Sequence, residues 1–295
     1  MSVRAPQRLR IATRSSLQAR TQAEIVAASI QHADPCVTTE LVFVETIGDQ
    51  RQDVPLHQIG GQGVFVKEVQ RAVLDGHADI AVHSAKDLPS EQTVGLVIGA
   101  FTARRDPRDA LVGCTLDGLA LGATVATGSV RRRAQLHALR PDLRFVELRG
   151  NIQTRLRKVP PNGAIVMAVA ALQILKISEQ IAEIMEADAM VPAVGQGCVA
   201  VECRSDDSAV LAVLAAVDHA QSRHAVVAER AFLAELGSGC SLPIGAHIAD
   251  GRLSAFLAND AGRALQTTVR LGHDWNVTAI ETARSMLAEI ERRHT

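Results

Sequence analysis

Tyrosine is absent from the 295 residues, tryptophan occurs once and phenylalanine six times. So few rings exclude a protein that works by stacking on nucleic-acid bases. Excess positive charge is lacking too: 31 Lys and Arg stand against 32 Asp and Glu, a net charge of −1, so no nucleic-acid partner is expected. Apolar runs such as Ala164 to Leu172 stop well short of the roughly 20 residues a membrane span requires, and no membrane partner is expected either. Met1 to Arg10 carries charges with no apolar stretch behind them, which predicts no signal peptide and a cytoplasmic location. The five cysteines (Cys36, Cys114, Cys198, Cys203, Cys240) contain no C-x-x-C pair. Zinc at Cys198 and Cys203 would have to recruit His219 and His224; reduced thiols are the simpler reading, and no metal is expected. What is present is globular composition, 47% hydrophobic and 21% charged, over a length that fits two or three domains.

The first hundred residues alternate strand-like and helix-like segments. Leu9–Thr13, Val37–Glu45, Ala78–Val82 and Leu96–Phe101 read as strands, and Gln18–Ile30 and Gly63–Leu74 as helices. After Arg104-Arg105-Asp106-Pro107 the rhythm restarts. Thr124–Thr127, Phe145–Leu148 and Ala164–Ala168 are the strands there; Ser129–Leu139, a short segment from Ile152 and the run to Leu175 are the helices. Two α/β units with parallel or mixed sheets follow, in which ligands sit beyond the carboxyl ends of strands. From Ser222 the pattern changes to a helix to Leu236, a Gly/Ser/Cys loop, strands near Ile244–Ala249, Leu253–Leu257 and Leu265–Leu271, and a helix over Asn276–Arg292. A small third α+β domain is preferred over an extension of the second unit.

Charge is unevenly spread. Residues 131–158 hold nine bases, eight of them Arg, against Asp142 and Glu147, so this stretch carries +7 and the remainder −8. Arginine's planar fork suits carboxylate or phosphate. Arg131, Arg132, Arg149 and Arg155 stand at predicted element boundaries and are expected to bind an anion. Arg133, Arg140, Arg144 and Arg157 are expected on solvated faces. Gly60-Gly61-Gln62-Gly63 lacks the Gly-Lys-Ser/Thr of a P-loop. Past a buried strand, His83-Ser84-Ala85-Lys86-Asp87 offers a carboxylate that is either ion-paired, the commoner case, or aimed at developing positive charge. Gly237-Ser238-Gly239-Cys240-Ser241-Leu242-Pro243 exposes a thiol on a Gly-rich loop, which suggests covalent chemistry. No His in a partner motif supports a cysteine hydrolase.

Together these constellations resemble porphobilinogen deaminases (hydroxymethylbilane synthases). The matching stretches are Thr13-Arg14 with Ser16, Gly60 to Glu68, Ala78 to Pro89, Arg105 to Ala110, and Ser129-Val130-Arg131-Arg132. They continue through Leu148-Arg149-Gly150-Asn151 with Thr154-Arg155-Leu156, Pro192 to Gly197, Ala228 to Phe232, and Gly239-Cys240 with Pro243-Ile244-Gly245. The resemblance implies an α/β fold of three domains: two periplasmic-binding-protein-like lobes around a cleft (1–100 plus 199–217, and 101–198) and a small α+β domain with a three-stranded sheet (218–295). It implies a transferase of tetrapyrrole and haem biosynthesis, a monomer that condenses four porphobilinogens into hydroxymethylbilane with loss of ammonia. Its primer would be a dipyrromethane cofactor in thioether linkage to Cys240. Asp87 would be the catalytic group, which reverses the ion-pair preference, because positive charge appears on a pyrrole nitrogen during each addition. Ser84, Lys86, Thr127, Ser129, Arg131, Arg132, Arg149 and Gly150 would hold the cofactor, and Arg14, Ser16, Gln22, Arg149 and Arg155 the substrate.

The chain departs from the family pattern at several places. Gln58 and Gln62 stand where lysines are frequent, Leu17-Gln18 where Pro-Leu is usual, Gly128 where serine is common, and Ile174 at a basic position. Fewer charged contacts to a growing chain follow. They leave open a binding-only paralogue that holds a pyrrole or other polycarboxylate without turnover. An anionic-solute receptor is disfavoured by the lack of an export signal.

Overall fold

β-Branched and apolar residues at Arg8–Arg14 form β1, and Ala19, Ala23, Val26 and Ile30 place an apolar stripe on α1 (Leu17–Ala33). The computed structural model describes residues 7–50, 63–237, 242–259 and 261–292. Next come β2 (Thr38–Val44), the one-turn α2 (Ile47–Gln50), α3 (Lys67–Leu74), β3 (Ile80–Ser84) and β4 (Leu96–Phe101). The second series is β5 (Asp109–Val112), β6 (Thr124–Ala126), α4 (Val130–Leu139), β7 (Arg144–Val146), α5 (Ile152–Leu156), β8 (Ala164–Ala168), α6 (Val169–Ile174) and β9 (Ile181–Ile184). Then follow β10 (Val199–Arg204), α7 (Ser208–Ala215), α8 (Ala220–Glu235), β11 (Ile244–Ala249), β12 (Arg252–Ala258), β13 (Ala264–Arg270) and α9 (Trp275–Arg292).

The described residues fall into two compact units, one drawn from Met1–Arg51, Gln62–Arg105 and Cys198–Arg223, the other from Asp106–Gly197 and His224–Thr295. The first holds a five-stranded sheet in the order β2-β1-β3-β10-β4, with β1 parallel to β2 and β3, and β10 antiparallel to β3 and β4. Leu9, Ile11, Ile80, Val82, Val201 and Cys203 on one face pack against Val26 and Ile30 of α1 and Val213 and Leu214 of α7. Ala12 and Ala81 on the other face meet Val69 and Val73 of α3.

The second unit repeats the arrangement as β7-β6-β8-β5-β9, again with one reversed strand, β5, in fourth place. It also holds the antiparallel sheet β11-β12-β13, whose Leu253, Ala255 and Leu257 share a core with Phe232 of α8 and Met286 of α9. The architecture is α/β with an α+β appendage, as expected from the pattern.

Several boundaries differ from expectation. The helix read from Gly63 starts at Lys67, because Gly63 sits at φ +87°, outside the right-handed helical region. The strand read over Ala78–Val82 runs Ile80–Ser84, since the Ala78 amide closes α3 on Ala72 O and Asp79 is held by Arg10. β7 ends at Val146, two residues before the expected Leu148. α2, β5, β9, β10 and α7 were not read as elements; β5 is only four residues, between Pro107 and Gly113.

Candidate functional site

In the first unit the functional side chains gather where strands end. β1 stops at Arg14, whose guanidinium lies 4.0 Å from the centre of the Phe65 ring. Ser16 caps α1, its hydroxyl accepting from Ala19 N at 3.4 Å. One turn further, buried Gln22 meets the Ser84 hydroxyl, with Nε2 to Oγ at 3.0 Å and Oγ to Oε1 at 3.2 Å. Ser84 closes β3, and Ala85–Asp87 coil into a single 3-10 turn anchored by the Ala85 amide on Cys198 O at 2.9 Å. The outcome is a hollow lined by Arg14, Gln22, Phe65, His83, Ser84 and Asp87. Lys86 is half-buried on the same turn. A guanidinium, a hydroxyl and a carboxylate thus face one space.

In the second unit the turn from β6 into α4 carries Thr127, Ser129, Arg131 and Arg132. The Ser129 hydroxyl caps α4 by accepting from Arg132 N at 3.4 Å, and its own amide donates to Thr127 Oγ1 at 3.2 Å. Arg131 and Arg132 point inward and both are buried. Arg131 Nη2 donates to Asp109 Oδ2 at 2.6 Å, and Arg132 donates to Oδ1 from Nη2 at 2.6 Å and from Nε at 3.1 Å. Gln196 Nε2 adds a donor to Oδ1 at 2.9 Å. The remaining arms reach main chain, Arg131 to Val191 O at 2.5 Å and Arg132 to Val166 O at 2.9 Å. Burial alone would raise the Asp109 carboxyl, but the charges and hydrogen bonds of the two guanidiniums outweigh it and hold the group far below the ordinary carboxylate range.

Two guanidiniums on one carboxylate leave this buried triad with one net positive charge. Such a group favours an anion beside it. The guanidinium arms are turned to Asp109 and main chain, so this turn offers a ligand the hydroxyls of Thr127 and Ser129 beside that net positive charge, which is compatible with the acetate and propionate arms of a dipyrromethane.

Arg149 and Gly150 lie next to that turn, for Leu148 O would stand 3.0 Å from a Cβ placed on Gly128. This close approach accounts for glycine at 128, where the resemblance led us to expect serine. Gly150 takes φ +113°, and Arg155 on α5 donates from Nε to its carbonyl at 2.8 Å. Ile174 is buried, in line with its apolar nature. Arg140 corrects the solvated-face expectation: it is half-buried and binds Asp142, Leu116 O and Leu119 O. Arg133 does stay near the surface, paired with Glu147 at 2.7 Å. Cys240, Gln58 and Gln62 lie outside the described residues.

Asp109 and Gln196 were missed as site residues, although both fall inside matching stretches. A lone carboxylate opening an apolar run, Asp109-Ala110-Leu111-Val112, was the available signal, because a buried charge requires partners.

Residues 9–212 match the family described as "Porphobilinogen deaminase, dipyromethane cofactor binding domain", and residues 224–288 match "Porphobilinogen deaminase, C-terminal domain". The chain belongs to the porphobilinogen deaminase family. The Porphobilinogen deaminase of Trichlorobacter lovleyi is 44% identical over 247 residues, 82% of this chain and 79% of that protein. That of Roseiflexus sp. is 48% identical over 245 residues, 81% of each. Among solved structures, the methionine binding protein MetQ aligns over 74% of this chain and 92% of its own, with 11% identity and a TM-score of 0.45. Family membership agrees with the resemblance seen in the sequence, including its cofactor. Among the described residues, no helix is long and apolar enough to cross a membrane.

Proposed function

We propose that this protein is a hydroxymethylbilane synthase, a transferase that joins four porphobilinogens head to tail and releases four ammonia molecules. One water then frees the linear tetrapyrrole. The observation that carries this is Asp87 on the turn closing β3, lining one hollow with Arg14, Gln22 and Ser84. A bound dipyrromethane, linked to Cys240, supplies the nucleophilic pyrrole carbon on which the chain is built.

The residues divide the labour by charge. When the aminomethyl C–N bond of porphobilinogen breaks, positive charge spreads onto the ring nitrogen. The Asp87 carboxylate accepts the N–H of that ring and stabilises the charge. After the new C–C bond forms, the same oxygens would take the proton that the attacking ring loses to regain aromaticity, so one residue serves both halves of the cycle. Arg14, Ser16 and Gln22, with Arg149 and Arg155, orient the substrate carboxylates. Ser84, Lys86, Thr127, Ser129, Arg131, Arg132, Arg149 and the Gly150 amide hold the cofactor. We also assign the lobes as 1–100 plus 199–217 and 101–198, with 218–295 as the cofactor-bearing domain; the three separate sheets support this. The partner is porphobilinogen alone, and the protein acts as a cytoplasmic monomer without nucleic acid or membrane.

Intact mass and ammonia release test this together. The purified protein should carry an adduct of two joined pyrroles that Cys240→Ser abolishes. Asp87→Asn should keep the adduct while turnover falls by about 100-fold or more. A wild-type protein of bare polypeptide mass that releases no ammonia from porphobilinogen refutes the assignment.

A further inference from the structure

Beneath the Asp87 hollow lies a buried polar chain that none of these roles uses. Glu202, in the middle of β10, is 3% exposed, and its Oε2 is 3.1 Å from His83 Nε2 on β3. Gln70 of α3, 4% exposed, turns its amide NH2 to both carboxylate oxygens, at 3.1 and 2.9 Å. The Thr93 hydroxyl donates to Gln70 Oε1 at 3.1 Å. The carboxylate sets the direction of this series: it can only accept, so Gln70 turns its NH2 to Glu202 and leaves its carbonyl to the Thr93 hydroxyl. On its other side the same carboxylate lies against His83 Nε2, a buried nitrogen with no aligned hydrogen bond.

His83 in turn is one of the residues lining the hollow that holds Asp87 and Ser84. A buried carboxylate costs several kcal/mol of desolvation, on the order of that for any unsolvated ion, whereas an apolar residue of similar volume would pack this face without it. What the carboxylate adds is a fixed charge and a fixed acceptor behind an imidazole.

We infer that Glu202 is a positioning residue for the Asp87 site and acts through His83. Its close approach to Nε2 fixes where the ring lies, and so sets the wall against which the reacting pyrrole rests. Ser84 follows His83 directly and Asp87 lies four residues on, and β10 already holds this end of β3 through Cys198 O on the Ala85 amide. A misdirected ring therefore reaches Asp87 over four residues. This role rests on the deaminase assignment.

Glu202→Gln in the full-length protein with its cofactor tests it, because Gln70 can flip its amide and satisfy the new side chain. We expect kcat to fall about tenfold with KM within about twofold, as misplacement of a catalytic group predicts. The melting temperature should move by only a few degrees. His83→Gln should give a similar kcat, and the double variant should fall no further than either single one. Wild-type kcat in Glu202→Gln, or additive losses in the double variant, overturns the proposal; so does a loss confined to melting temperature. Imidazole 15N NMR is the arm independent of activity: Glu202→Gln should shift the His83 Nε2 resonance, and an unmoved signal refutes the coupling. A wild-type protein that releases no ammonia from porphobilinogen counts against the deaminase assignment alone, and the NMR result still decides the coupling of Glu202 to His83.

Discussion

Asp109 offers two oxygens and receives Arg131, Arg132 and Gln196 on them. Asp109→Asn should destabilise the second unit by about 3–5 kcal/mol, since two buried guanidiniums would lose their shared counter-charge. Urea unfolding at neutral pH checks this. The sign of the pH dependence follows from the lowered carboxyl. Its stabilisation is complete above the ordinary carboxylate value of about 4 and is lost as pH falls below that toward the depressed native value. Urea midpoints measured downward from pH 5 should therefore decline more steeply in the wild type than in Asp109→Asn. Equal slopes would remove Asp109 as the acid-sensitive group. From the sequence, Arg131 and Arg132 were expected to bind a ligand anion; the anion the structure puts on them is the chain's own Asp109. That shared acid was not legible, because 22 and 23 residues separate it from them and only the β5–β8–β6 order brings it near.

At the scale of elements, turns that aim side chains were easier to anticipate than short strands. Ser129 and Asn151 are caps with side chains that accept from the third residue on; the sequence places one helix start at Ser129 and the other at Ile152, just after Asn151. β5 and β9, four residues each, carry too few positions to show a period of two. Gly150 shows what a turn contributes to chemistry. A Cβ there would stand 2.7 Å from Thr154 Cγ2, on a backbone at φ +113°. Gly150→Ala should cost about 1–3 kcal/mol and displace the Arg149–Arg155 pair of turns. Substrate binding should then weaken, with the cofactor adduct kept. A variant with unchanged KM for porphobilinogen and unchanged melting would show that neither arginine depends on that turn.

For the whole molecule, the repeated βα rhythm announced two α/β units, and the composition shift near Ser222 announced the three-stranded sheet. The return of the chain into the first sheet at β10 was implied only by resemblance. Nothing local in Val199-Ala200-Val201-Glu202-Cys203 says which sheet will accept it, because strand pairing is decided by distant partners. The charged residue inside that apolar run was the hint, since Glu202 finds its partners on β3 and α3.

Vectorial synthesis gives the position of β10 a further meaning. A ribosome that has just finished Ile184 has already delivered all five strands of the second sheet, while the first still lacks the one that belongs between β3 and β4. Polypeptides arrested after Gly197 should thus protect β5–β9 from protease and surrender β1–β4 to it. The elder half of the molecule matures last, and the gap it keeps open meanwhile is a natural landing place for a chaperone.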